Sequence, residues 1–283
     1  MKNLLRSIPC LLIFSPAFSA DTPWTSSAQH IDTNVSVVYQ AYDQFWLGEQ
    51  KLSTKDAFGA DGKVTQTTAT VSGMYGITDW LAADLAVGYT RIDFKPLDKT
   101  DSGLNDTTFG LQARLLDENN PASPYLPTIS VRLGGILKGT YETDIGTPTG
   151  AGLGTNGFDG SLAVGKYFVD SGTGVFASGG FRDYASDVPS VRYWALGAFQ
   201  DVAGQASVHA IYRSSASTSG VDIGGSGFTG DFTKVKEERE AIEGGITYIG
   251  CPQARIGIFI ARVLDGRNIG QDLVLGLNGG YSF

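Results

Sequence analysis

The groups in this chain that could do chemistry are few: His30 and His209, Cys251, and a set of single arginines and carboxylates spread along the sequence. Ser207 and His209 stand two apart, so on an extended strand they share a face, the juxtaposition from which a hydroxyl nucleophile and its base are made. No third member that would orient the imidazole is visible, so a hydrolase using His209 is the minor expectation and no catalytic residue is assigned. A metal site fares worse, because the two histidines are far apart and Cys251 is alone once the leader carrying Cys10 is set aside. The stretches "GTPTGAGLGTNG" and "GVDIGGSGFTG" lack the strand-to-helix setting of a phosphate cradle and read as loops. No cofactor is expected.

The charges say more through their placement. Arg114, Arg132, Lys138, Arg182, Arg192, Arg213, Arg239 and Arg255 occur singly, as do Asp84, Asp159, Glu237, Glu243 and Asp272. Each falls by parity opposite an apolar face. By the same parity Tyr42, Tyr167, Trp194 and Phe259 join that charged side.

The elements that must position these groups are strands. Segments of alternating hydrophobicity recur throughout the chain, separated by turn chemistry. Val35, Val37 and Tyr39 share one face, as do Leu81, Ala83, Leu85, Val87 and Tyr89; later sets are Tyr193, Ala195, Gly197 and Phe199, then Val208, Ala210 and Tyr212. The pattern predicts about twelve strands, with ten or fourteen also open. Taking the first as rising, the long connections are 47–62, 95–102, 142–155, 185–189, 214–234 and 265–270. The opposite connections are short except 117–127. Short turns at one end and long loops at the other are the plan of an up-and-down barrel of the outer membrane.

Alternation alone also fits a soluble sandwich. Aromatics closing many of the apolar faces, among them Tyr75, Tyr89, Tyr141, Phe181, Tyr212 and Tyr248, suit the girdles at two membrane interfaces. No stretch beyond the leader approaches the ~18 apolar residues of a membrane helix. The expected fold is therefore all-β: a membrane-spanning antiparallel up-and-down barrel. An arginine or lysine facing hydrocarbon at mid-depth would cost about 2–4 kcal/mol, so the charged face belongs to the lumen. Arg114, Arg132, Lys138, Arg182, Arg213, Arg239, Glu243, Arg255, Trp194 and Phe259 are the expected pore-lining residues. Two readings stay open: the charges line a wet, mildly cationic passage, or they pair across the interior and plug it.

The two ends of the chain agree with export and insertion. Residues 1–20 have a basic start, an apolar run and small residues Ala17, Ser19 and Ala20, the marks of a cleaved secretory signal peptide, leaving 21–283 as one barrel domain. "LVLGLNGGYSF" alternates to its last residue and would form the closing strand, with both termini in the periplasm. Tyr281 and Phe283 resemble the aromatic ending that the barrel assembly machinery recognises. The balance of 21 basic against 29 acidic residues argues against nucleic acid as a partner. The partners expected are outer-membrane lipid, the assembly machinery and a small-molecule solute.

"SGLNDTTFGLQARLLDENN" (102–120), "VKEEREAIEGGITY" (235–248) and "RVLDGRN" (262–268) resemble segments of an outer-membrane transporter family named for the meta-pathway of phenol degradation. The resemblance implies an outer-membrane barrel linked to uptake of aromatic compounds. The function expected is a channel, not an enzyme, for passive or selective passage of small organic solutes, aromatic or anionic ones among them. A structural or adhesive barrel acting through its outer loops, 214–234 above all, is the alternative.

Overall fold

The computed structural model describes residues 22–120, 125–141 and 152–283. The expected signal peptide, 1–20, and most of the 142–155 loop lie outside them. The elements in order are β1 (Ile31–Tyr42), β2 (Gln44–Leu47), β3 (Gln50–Ser53), α1 (Thr54–Phe58), β4 (Val64–Gly76), β5 (Leu81–Phe94), β6 (Lys99–Leu104), β7 (Thr107–Leu116), β8 (Thr128–Leu137), β9 (Gly157–Phe168), β10 (Thr173–Tyr184), β11 (Val191–Val202), β12 (Ala206–Ser217), β13 (Glu238–Cys251), β14 (Ala254–Arg267) and β15 (Leu273–Ser282). No helix among the described residues is long and apolar enough to cross a membrane.

The main sheet has 13 strands, and the pairing of β4 with β5 closes it. Leaving out β6, a short strand that only extends the far end of β5, twelve antiparallel strands form the barrel. Closure joins the ends of the chain: Asp32 on β1 stands opposite Ser282 on β15, and the Phe283 amide donates to the Ile31 carbonyl at 2.9 Å. A closed sheet has no unpaired edge, the condition for a sheet in lipid. The β2–β3 hairpin and α1 sit in the first long loop, where Ser53 caps the helix by accepting from the Asp56 amide. We call the end holding the tight connections the turn end, and the other the loop end. In the β11–β12 turn Ala203 and Gly204 both take positive φ, 52° and 70°, the twist a tight hairpin needs.

On every barrel strand but β11, the apolar face assigned from the alternation points outward and the opposite face lines the lumen. β11 is inverted. Ala195 and Phe199 are buried inside, while Trp194, expected in the lumen, is 43% exposed on the outer surface with its ring 5.2 Å from that of Tyr212. Arg192 moves outward with it. The physical reason is that both faces of "YWALGAF" are apolar, so local alternation carries no sign. The choice is made by partners distant in sequence: the Phe199 ring meets Trp24 at 5.7 Å and Tyr167 at 5.9 Å inside the barrel.

Candidate functional site

The lumen holds three built features, one at each end and one between. At the turn end, residues 22–27 enter the barrel without joining any strand. Trp24 is 3% exposed and meets Phe176 and Phe199 edge-on at 6.3 and 5.7 Å. Met74, Ala82, Ala195 and Ile211 complete the cluster. Backbone polar groups of the segment are met by the wall: Gln112 Nε2 donates to the Thr22 carbonyl at 3.0 Å, and Ser130 Oγ donates to that of Pro23. Ser26 Oγ donates to Asp32 at 2.5 Å. Gly165 makes the approach possible, since a Cβ there would lie 2.9 Å from the Pro23 ring and 3.0 Å from Trp24. The segment packs inside the barrel, with its indole among side chains of the inner wall.

Between the ends runs a belt of charge. Arg132 on β8 is 5% exposed and lies flat against the wall. Its Nε and Nη2 donate to Asp84 on β5 at 2.9 and 2.7 Å, and its Nη1 to Asp159 on β9 at 2.5 Å. To reach Asp84 it crosses β7, where Gly110 leaves room: a Cβ at Gly110 or Gly134 would lie 2.7 or 2.8 Å from the guanidinium. Asp159 also accepts from Arg182 Nε at 3.0 Å and from the Tyr193 hydroxyl at 3.2 Å, and Arg182 stacks over the Tyr193 ring at 4.9 Å. Two carboxylates and two guanidiniums thus balance along β5, β8, β9 and β10. A forked guanidinium between two carboxylates is the geometry arginine supplies and lysine does not.

The other expected pore residues divide. Arg213 pairs with Glu243 at 3.3 Å, and Arg239 faces Asp272 at 3.8 Å. Phe259 is buried inside, its ring over Gly276. Arg255 lies on the inner face near Asp32. Arg114 belongs to the turn end, donating to the Asp79 carbonyl and pairing with Asp117 at 3.2 Å. Lys138 is exposed beyond the loop end of β8. The expectation of a mildly cationic lumen does not hold: these interior arginines face carboxylates. His209 Nε2 bonds Glu243 at 3.1 Å, whereas Ser207 Oγ donates to the Gln200 carbonyl at 3.4 Å, so serine and histidine do not form a couple.

At the loop end Tyr42, Phe45, Val64, Ile92 and Phe94 form a second buried cluster, over which Phe58, Leu97 and Ile223 pack from the loops. Three loops are tied above it by Asn268, which is fully buried in a left-handed backbone conformation, φ 54°. Its carbonyl oxygen accepts from the Gly48 and Ile223 amides at 2.8 and 3.2 Å, and its amide donates to Asp222 and to the Lys236 carbonyl, both at 2.8 Å. Arg267 adds a fork onto Asp222 at 2.8 and 2.7 Å and reaches Glu49 at 2.6 Å. Asn268→Ala leaves buried amides without partners at about 1–3 kcal/mol each, so protease nicking within 214–234 is expected to rise while the barrel keeps its unfolding midpoint. Bonds from Arg267, and next from Asn268, hold the Asp222 carboxyl below the ordinary aspartate range. A depressed folded value means stability that is present at neutral pH and lost only as pH falls through it. Nicking of the native protein should therefore stay slow down to about pH 4.

No protein-family model matches the chain, and no curated protein sequence does. Solved structures of the same architecture include two that superpose over most of the chain. An outer-membrane channel from Pseudomonas putida F1 superposes with a TM-score of 0.73 at 14% identity, covering 94% of this chain and 98% of that one. The translocator domain of the autotransporter NalP from Neisseria meningitidis gives 0.54 at 13% identity, covering 91% and 90%. At such identities the likeness concerns fold alone, and that fold is the closed antiparallel barrel of outer-membrane proteins.

Proposed function

We propose that this protein is a channel of the bacterial outer membrane for small organic solutes, its turn end in the periplasm and residues 22–27 a removable stopper at that exit. The observation that carries the reading is the stopper itself. Residues 22–27 fill the lumen yet share no strand ladder with the barrel, so they can leave without breaking one. The outward apolar band on every strand is suited to lipid, and Tyr281 and Phe283, exposed on the closing strand with rings 4.7 Å apart, would serve as the assembly signal. The rings of Trp24, Tyr167, Phe176 and Phe199 pack together inside the barrel, so an aromatic solute would exchange one ring partner for another. Charge balance along the wall argues against attraction of anions. The adhesive reading gains nothing, because Asp222 ties the 214–234 loop back over the mouth.

Single-channel recording on the refolded protein in a planar bilayer tests the proposal. Small, infrequent openings with little preference between cation and anion are expected. A strong preference for either ion would contradict the charge balance.

A further inference from the structure

The connection 117–127 breaks the rule of short turns, and its length has a use. Glu118 folds from it back into the barrel mouth, its side chain 5% exposed. One carboxylate oxygen accepts from the Trp24 indole Nε1 at 2.8 Å and the other from the Tyr167 amide at 2.7 Å. The Glu118 amide in turn donates to Thr128 Oγ1 at 3.3 Å, and Lys166 Nζ stands 3.9 Å from the carboxylate. The other bonds described above for the stopper come from barrel strands, which are fixed by their ladders. Glu118 is the contact made from a turn, and further along that turn Tyr125 is 94% exposed.

The chemistry of the grip is specific. Two donors converge on one side chain, so that side chain must offer two acceptors and no hydrogen. A carboxylate does; a carboxamide offers one acceptor and turns a donor toward a donor. Aspartate is shorter by one methylene. An indole N–H buried beside Phe176 and Phe199 with no acceptor is costly, so Trp24 seats stably only while Glu118 is in place.

We propose that Glu118 is the latch of the stopper, so that displacing residues 117–120 from the periplasmic side withdraws the carboxylate, unpairs the Trp24 indole and releases residues 22–27 from the lumen. The proposal rests on the channel reading for its consequence but not for its geometry. Both are read by one pair of measurements on the full chain in proteoliposomes. With Trp46, Trp80 and Trp194 replaced by phenylalanine, Trp24 reports alone, and its quenching by acrylamide measures whether it is seated.

Glu118→Gln, which keeps shape and loses one acceptor, is expected to raise the quenching constant several-fold and to raise conductance, with the barrel's unfolding midpoint unmoved. Trp24→Phe, in the otherwise native chain, keeps an aromatic ring in the cluster and removes the held N–H together with part of the indole's bulk; it is expected to raise conductance at least as much as Glu118→Gln does, and serves if that variant does not fold. Trp24 as protected in Glu118→Gln as in its parent overturns the latch, as does a Trp24→Phe channel no more open than the native one. Quenching that rises while every variant stays silent in conductance leaves the latch standing and overturns the channel reading.

Discussion

Trp24→Ala is expected to convert a mostly closed barrel into an open one, read as a large rise in the rate at which small neutral solutes swell proteoliposomes. The indole sits inside the barrel among Phe176, Phe199, Met74 and Ile211. Truncating a buried tryptophan removes about 3–5 kcal/mol of packing. Charged against the seated state alone, that loss moves the closed-to-open equilibrium by about two to four orders of magnitude, at ~1.4 kcal/mol per tenfold. The β-barrel ladder contains no residue of 22–27, so the unfolding midpoint should barely change. Swelling that rises only together with loss of the folded barrel would mean that the segment is part of the fold rather than a stopper.

Arg132→Ser is expected to act in the opposite way, on the barrel and not on the passage. It strands Asp84 inside the wall and leaves Asp159 with Arg182 and Tyr193 alone, both carboxylates being nearly inaccessible to solvent. Removing one partner of a buried ion pair costs about 3–5 kcal/mol, because the remaining charge has lost its compensation. A clear fall in the urea midpoint is the expected result. Arg132→Lys should fall between, since an ammonium cannot fork onto two carboxylates. Adding Asp84→Asn to the Arg132→Ser chain should recover most of the loss, since Asp159 keeps Arg182. A changed ion selectivity with an unchanged midpoint would instead return Arg132 to the role of a free pore charge.

Much of this was legible in the sequence, for physical reasons that also mark where legibility stops. A strand's two faces meet different surroundings, so Leu81 to Tyr89 or Val208 to Tyr212 declare their direction by composition alone. Parity then places Arg132, Arg182, Arg213 and Arg239 inside, but not their partners: Asp84 and Asp159 lie 48 and 27 positions from Arg132, a distance no local pattern spans. β11 was misread because Trp194 and Phe199 are equally apolar and only Trp24, on the far side of the sequence, decides between them. The stopper itself has no periodicity to find. "TPWTSS" reads as an exposed start, and its one signal is a tryptophan among small polar residues. The overlong 117–127 turn was visible as an exception to the barrel rule, and Glu118 supplies its reason.

The central claim, that a channel is closed from within by residues 22–27, is tested most directly by single-channel recording of the native barrel beside one from which those residues are deleted. The account predicts rare, small openings for the first and steady, several-fold larger conductance with weak ion preference for the second. Equal currents from the two, or silence from both in folded barrels, would contradict it.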